Sequence, residues 1–531
     1  MAVLPSRNGL RAPVALWLPG LVVVAATLLP LWYLLKRSTE RGWEPWRETL
    51  TGPALDLLGN SIKLSMAVGV VCVAIALPAA WLTVRTDLPL RRAWAVVLTL
   101  PLAIPSYVMA MTVVAALGPR GIVQGWLEPL GVERLPEIYG FWGAALTLSA
   151  VSFPYVFMVL RAALRTLDPS EEEAARSLGA GPFRAFATVV APALIPAVAA
   201  GLLLVVLYVL SDFGAVSIVR YNTFTRVIFL RYSSSFDRTA AAILGIVLAG
   251  LTLVLLAGEL GARHWFSTRA TSRRQAPART VHLGRWRWPA VAFLSFVALV
   301  SLVLPLGVLT YWLVKGIRAG TDFPELWEPV RHSVTLAAGG AVLTVVLAMP
   351  IAILAARFGG PLARVLEQLA FATHALPGLV VALALVFFGI GYATDLYQTV
   401  WMLLAAYVIL FLPNALGALR APLLRQSRHL EEAASALGKR PTTVLATITL
   451  PLARPGAVAA LALVFLTIMK ELPATLLLSP PGYRTLPGVV WGASNEALYG
   501  SASLPALVLV GVAAIPIALL VWRGELEHVE A

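Results

Sequence analysis

Long apolar runs separated by short polar stretches set the rhythm of this chain. LPGLVVVAATLLPLWYLL at 18–35 and ALVLVGVAAIPIALLVW at 506–522 hold no charged side chain. An α-helix rises about 1.5 Å per residue, so a run of about 20 crosses a hydrocarbon core of roughly 30 Å. The pattern predicts twelve spans, at 14–35, 61–83, 93–117, 141–160, 190–210, 239–261, 288–313, 333–355, 368–392, 398–418, 451–469 and 501–522. The first follows Arg7 and Arg11, as the apolar core of a signal peptide would. Its apolar stretch is too long for that role and shows no small-residue cleavage site, so it is expected to stay as a first span. The fold class is an all-α polytopic membrane protein.

Composition supports the pattern. Of 531 residues, 59% are hydrophobic and 13% charged, with a mean hydropathy of +0.82; a soluble chain carries about 25% charged residues. The net charge of +14 suits nucleic acid or anionic lipid, and its distribution decides between them. With the amino terminus in the cytoplasm, the excess of Lys and Arg falls on the inner side, the bias of an inserted protein. The densest basic stretch, RHWFSTRATSRRQAPARTVHLGRWR at 263–287, follows the sixth span. It reads as a cytoplasmic linker against anionic headgroups, with no nucleic acid involved. The single Cys72 lies inside a span, which excludes a disulfide within the chain and a thiolate metal site.

Against this background one polar phrase is written twice: EEAARSLG at 172–179 and EEAASALG at 431–438. With the chain laid on itself at a shift of 259 residues (Glu172 on Glu431), Pro154 meets Pro413, Arg161 meets Arg420, Pro182 meets Pro441, Thr188 meets Thr447, Pro192 meets Pro451 and Pro196 meets Pro455. Upstream the register becomes 272: Ser61 meets Ser333, Leu64 meets Leu336, Pro78 meets Pro350 and Pro105 meets Pro377. The first half is the longer, and its surplus lies in a polar external loop at 118–140. Repeats of this kind build pseudosymmetric halves around a central path. Six predicted spans separate the two phrases. An even number returns the chain to the same side, so the halves are parallel six-helix units and both phrases face the cytoplasm.

Each phrase is punctuated as a short helix of about ten residues. Asp168 caps the first copy, Pro169 takes the first helical position and Glu171 has capping-box spacing; Ser427 caps the second, where Leu430 replaces the box glutamate. Gly179 and Gly438 suit a left-handed stop. Ala174, Ala175 and Leu178 form a small apolar stripe beside Glu172, Glu173 and Arg176, which fits close approach to a partner carrying Arg or Lys. For one copy alone, a solvated helix with a Glu172–Arg176 pair would serve as well. Two matching copies point to a shared docking role.

The phrase resembles the EAA loop of ABC-importer permeases, in which Glu-Ala-Ala, a later Gly and a Leu-Pro form a coupling helix. Here it is Glu173-Ala174-Ala175 with Gly179 and Ala191-Pro192, and Glu432-Ala433-Ala434 with Gly438 and Leu450-Pro451. The first copy departs by its Ala before Pro192. The resemblance implies docking of Glu172, Glu173, Ala174, Ala175 and Gly179, and of Glu431, Glu432, Ala433, Ala434 and Gly438, on two cytosolic ABC ATPase subunits. It further implies an extracytoplasmic solute-binding protein, a place in the bacterial inner (plasma) membrane with both termini cytoplasmic, and no catalytic residue in this chain. ATP and Mg belong to the partner subunits, because the chain has no G-x-x-x-x-G-K-[ST] loop; Gly118-Pro119-Arg120-Gly121 lacks the Lys-Ser/Thr. On this basis residues 1–56 are the first span and an external loop, 57–262 the first permease domain, 263–287 the linker, 288–329 the seventh span and an external loop, 330–522 the second permease domain and 523–531 a cytoplasmic tail.

The cargo is read from the segments after spans five and eleven. SDFGAVSIV (211–219) aligns with KELPATLLL (470–478), setting Asp212 on Glu471. Asp212, Lys470 and Glu471 are either interface charges or parts of the translocation path, where paired carboxylates would attract a cation. The wording of 210–229 and 468–491 looks like fused ferric-iron permeases; fused thiamine permeases share the layout. His264, His282, His332, His374, His429 and His528 are scattered and form no metal cage. An ion-coupled secondary transporter, the reading from another class, calls for carboxylates at mid-membrane. The predicted spans are almost free of them.

Overall fold

The computed structural model describes residues 14–168, 170–233, 238–267, 280–321, 323, 325–373, 376–425, 427 and 429–530. Residues 268–279 of the basic linker, Pro169 and His374 lie outside them. Among the described residues eleven helices are long and apolar enough to cross a membrane, and Gly378–Tyr392 is a shorter apolar helix. The helices needed below are α1 (Val14–Thr39), α2 (Pro53–Arg85), α3 (Ser106–Leu117), α4 (Phe141–Thr166), α5 (Ser170–Ser177), α6 (Ala191–Ser211), α7 (Gly214–Ile218) and α8 (Leu304–Arg318). The second half supplies α9 (Trp327–Ile353), α10 (Gly378–Tyr392), α11 (Val400–Arg425), α12 (His429–Ala436), α13 (Leu450–Met469), α14 (Pro473–Leu478) and α15 (Tyr499–Glu530).

Two predicted spans are not continuous. The third, expected at 93–117, is a short helix Arg91–Val97, a tight turn Leu100–Ala103 and then α3. The ninth, expected at 368–392, is a helix Gly360–Ala372 followed by α10. The cause is the same in each half. Pro105 and Pro377 sit at the helix starts with extended ψ of 147° and 142°, and proline disfavours helix in the residue before it. A second paired irregularity lies beyond the polar phrase: Phe186–Val190 and Leu445–Thr449 are π-helical and run into Pro192 and Pro451. A proline offers no N–H to the carbonyl four residues back, and the ladder widens there.

The chain forms two compact units that do not follow its linear order. One joins residues 1–42 to 325–488, the other joins 43–324 to 489–531. In the first, α1 packs on α9, α10 and the helix Gly360–Ala372. Its Tyr33 sits among Phe387, Phe388 and Tyr392, and Lys36 bonds the Tyr392 hydroxyl. In the second, α15 packs on α8, with Trp312 against Tyr499 at 5.3 Å between ring centroids. Each unit is built on the same triple of helices, α2 with α4 and α6 in one, α9 with α11 and α13 in the other. In the former a dry core of Leu64, Val68, Cys72, Leu148, Phe153, Phe157 and Val205 holds them together. Gly201 permits the close crossing of α6 over α4, since a Cβ there would stand 3.0 Å from Val156 Cα.

The far end of the linker is tied to the end of α2. Val281 N–H donates to the Arg85 carbonyl at 2.8 Å, and Asp87 N–H donates to the Val281 carbonyl at 3.2 Å. Asp87 then accepts Leu283 N–H at 2.9 Å and faces His282 Nδ1 at 3.2 Å. The Leu283 amide, aided by His282, holds the Asp87 carboxyl below its ordinary value.

Candidate coupling helices and paired carboxylates

The two copies of the polar phrase fold alike. α5 and α12 are eight residues each, shorter than the ten expected. Asp168 Oδ1 accepts Ser170 N–H at 2.9 Å, and Ser427 Oγ accepts His429 N–H at 3.2 Å. At the other end Gly179 and Gly438 take φ of +89° and +79°. Ala180 N–H reaches back to the Ala175 carbonyl and Lys439 N–H to the Ala434 carbonyl, both at 3.1 Å, closing the same left-handed stop. This geometry pushes Leu178 and Leu437 into the open, 88% and 82% exposed, although both are large apolar side chains.

The flanking residues divide by face. Glu173 and Ala174 are exposed, Glu172 and Ala175 half-buried; Glu432 and Ala433 are exposed, Glu431 and Ala434 buried. No Glu172–Arg176 pair forms among the described residues, and His429 Nδ1 lies 3.2 Å from Glu432 Oε2 on the surface. Glu431 turns inward: its Oε1 lies 3.0 Å from Arg357 Nε and accepts the Thr449 hydroxyl at 2.8 Å. Arg357 went unnoticed in the sequence. The signal was there, because the 272-residue register that aligns Pro105 with Pro377 also sets Arg85 on Arg357.

Asp212 and Glu471 are buried, one in each unit, and their carboxylates are occupied. Asp212 Oδ1 accepts Ala215 N–H at 2.9 Å and Val216 N–H at 3.4 Å. Glu471 accepts Ala474 N–H at 2.8 Å, Thr475 N–H at 3.0 Å and the Thr475 hydroxyl at 2.9 Å. Each thus satisfies the amides that open a short helix, α7 or α14, where the chain leaves its span. The halves solve the spacing differently. Asp212 is the shorter carboxylate and has the Ser106 side chain in its surroundings; beside Glu471 the matching residue is Gly378, where an added Cβ would lie 3.2 Å from Oε1. Lys470 ends α13 and is half-buried.

The chain belongs to the family described as the binding-protein-dependent transport system inner membrane component, which matches residues 72–322 and 348–523. It is a membrane-spanning permease of a bacterial inner-membrane transport system. Among its relatives is an Fe(3+)-transport system permease protein of Haemophilus influenzae, 35% identical over 95% of this chain and 97% of that protein. A ferric transport system permease protein of Actinobacillus pleuropneumoniae is 25% identical over 89% of this chain and 71% of its own length. A sulfate transport system permease protein of Escherichia coli is 30% identical over 44% of this chain and 86% of its own length.

Proposed function

We propose that this chain forms the translocation path of an ABC importer for ferric iron. A solute-binding protein delivers the iron on the outer side. On the cytoplasmic side, where both termini also lie, α5 and α12 dock on two ATPase subunits that use ATP and Mg. The observation that carries the cargo is the 35% identity, across nearly the full length of both chains, to a protein named for Fe(3+) transport. The twin helices support the coupling, because Leu178 and Leu437 are exposed at matched tips with Glu173 and Glu432 beside them. In this reading Asp212 and Glu471 shape the wall of the path and leave capture of the cation to the delivering protein, while Lys470 lies beside the wall. ATP-driven closure draws the two coupling helices together and opens the path outward, and hydrolysis reverses the motion.

The test is uptake by a strain lacking the chain and carrying it on a plasmid. Radioactive ferric iron, thiamine and sulfate are offered separately. Restored iron uptake alone supports the reading. Restored sulfate uptake would favour the second one, which the half-length sulfate relative supports; restored thiamine uptake would also overturn the iron assignment.

A further inference from the structure

Glu172 and Glu431 occupy matched positions in the repeated phrase, yet their surroundings differ. Glu431 is buried against Arg357 and Thr449, so its side chain faces its own protein. Arg357 is itself buried, at the end of the π-helical turn Leu354–Phe358 that closes its span. In the first half Arg85 occupies the corresponding place at the end of α2 and is also buried. It donates to the Leu167 carbonyl at 3.3 Å, in the short connection that leads into α5. Glu172 lies within its electrostatic reach but makes no ion pair with it among the described residues, and remains half-exposed. The residue that would complete the contact is missing as well: Thr449 corresponds to Val190, which has no hydroxyl.

We propose that Arg85 and Arg357 are positioning residues for the two coupling helices, with the second post closed on its glutamate and the first left open. Burying a charged pair is costly unless both partners are satisfied, and removing one partner costs far more than loosening a surface contact. An Arg–Glu pair in this place therefore acts as a fixed joint between the end of the eighth span and α12. Movement of α12 is carried straight into the span that bears Arg357. α5 has more freedom, because Arg85 reaches only the backbone ahead of it and, among the described residues, forms no ion pair with Glu172. The two ATPase contacts are then unequal: one is a stiff lever and the other a compliant one. This inference deepens the coupling role proposed above and rests on it for its functional meaning, while the joint itself is a property of the chain alone.

Two measurements separate the joint from that role. The first is amide hydrogen exchange of the full-length permease in lipid nanodiscs, without any ATPase. Arg357→Gln, which breaks the buried ion pair, and the near-isosteric Thr449→Val, which removes the hydrogen bond to the carboxylate, should each speed exchange across 429–440 by about 10-fold or more. Arg85→Gln should change exchange across 170–181 by less than about threefold. Val190→Thr, which offers the first half the missing hydroxyl, should slow it. Arg357→Lys should restore part of the protection lost in Arg357→Gln, whereas a residue that merely fills space would show no such rescue. Exchange within threefold of the parent in both Arg357→Gln and Thr449→Val would overturn the joint, and equal effects of Arg85→Gln and Arg357→Gln would overturn the asymmetry. The second measurement is solute moved per ATP in the reconstituted complex, which should fall about 10-fold in Thr449→Val while hydrolysis continues. If the parent chain recruits no ATPase, the coupling role fails and the exchange result stands by itself.

Discussion

Removal of the Glu471 carboxylate discriminates between a cap and a cation-attracting charge. The side chain accepts two backbone amides and one hydroxyl at the start of α14, all within 3.0 Å. Glu471→Ala leaves the Ala474 and Thr475 amides without that acceptor in a buried place. Each orphaned donor costs about 1–3 kcal/mol, so the loss is roughly 2–6 kcal/mol. Glu471→Gln keeps one oxygen in reach of the amides and should cost about 1–2 kcal/mol, the range of a lost cap bond. Thermal unfolding in detergent, followed by tryptophan fluorescence, should therefore rank the parent first, Gln second and Ala last. Iron uptake should follow the same order, with Gln retaining a substantial fraction. Importing the first half's solution, Glu471→Asp with Gly378→Ser, should recover more stability than Glu471→Asp alone. A charge acting on the cargo predicts another outcome: Gln would abolish uptake as fully as Ala while leaving stability intact. That result, or an Ala variant as stable as the parent, would refute the capping argument.

Other outcomes follow from geometry already described. Gly179→Ala and Gly438→Ala place a Cβ at φ of +89° and +79°, where an L-residue pays about 1–2 kcal/mol, and should lower uptake without lowering membrane abundance on immunoblots. Leu178→Asp with Leu437→Asp should abolish co-purification of the ATPase subunits while the permease itself stays folded in size-exclusion chromatography. The Asp87 anchor should respond to acid. Its carboxyl is held low by the Leu283 amide and by His282, so the stabilisation is present above the ordinary carboxylate range and lost as the pH falls through the depressed value. Exchange at the Val281 and Leu283 amides should rise in that acid window, and Asp87→Asn should show the fast rate already at neutral pH.

The span pattern and the repeat were legible because both are written in local composition. Apolar runs of fixed length and matched prolines need no partner to be recognised. The caps at Asp168 and Ser427 and the stops at Gly179 and Gly438 were legible for the same reason, since each acts within a few residues. The breaks before Pro105 and Pro377 were missed because apolar character continues through them, although both prolines were in plain view. Asp212 and Glu471 read as either interface charges or parts of the path; their three-residue spacing to Ala215 and Ala474 is that of a carboxylate serving helix-opening amides, and that spacing was the overlooked signal. The Arg357–Glu431 pair could not be seen in one register. Its members belong to segments repeated at 272 and 259 residues, and only the fold brings the two together.

The joining of α1 to residues 325–488 has a consequence for biosynthesis. Lys36 meets Tyr392 across 356 residues of sequence, so α1 lacks these neighbours until that much further chain has been made. At roughly 5–20 residues per second, that wait lasts roughly 20–70 s. During it α1 is a solitary greasy rod in lipid, and Trp32, Tyr33 and Lys36 serve as its provisional moorings at the water boundary. A gene cut between the two halves would thus yield fragments each missing a neighbour encoded by the other, and only their joint synthesis would restore both bodies.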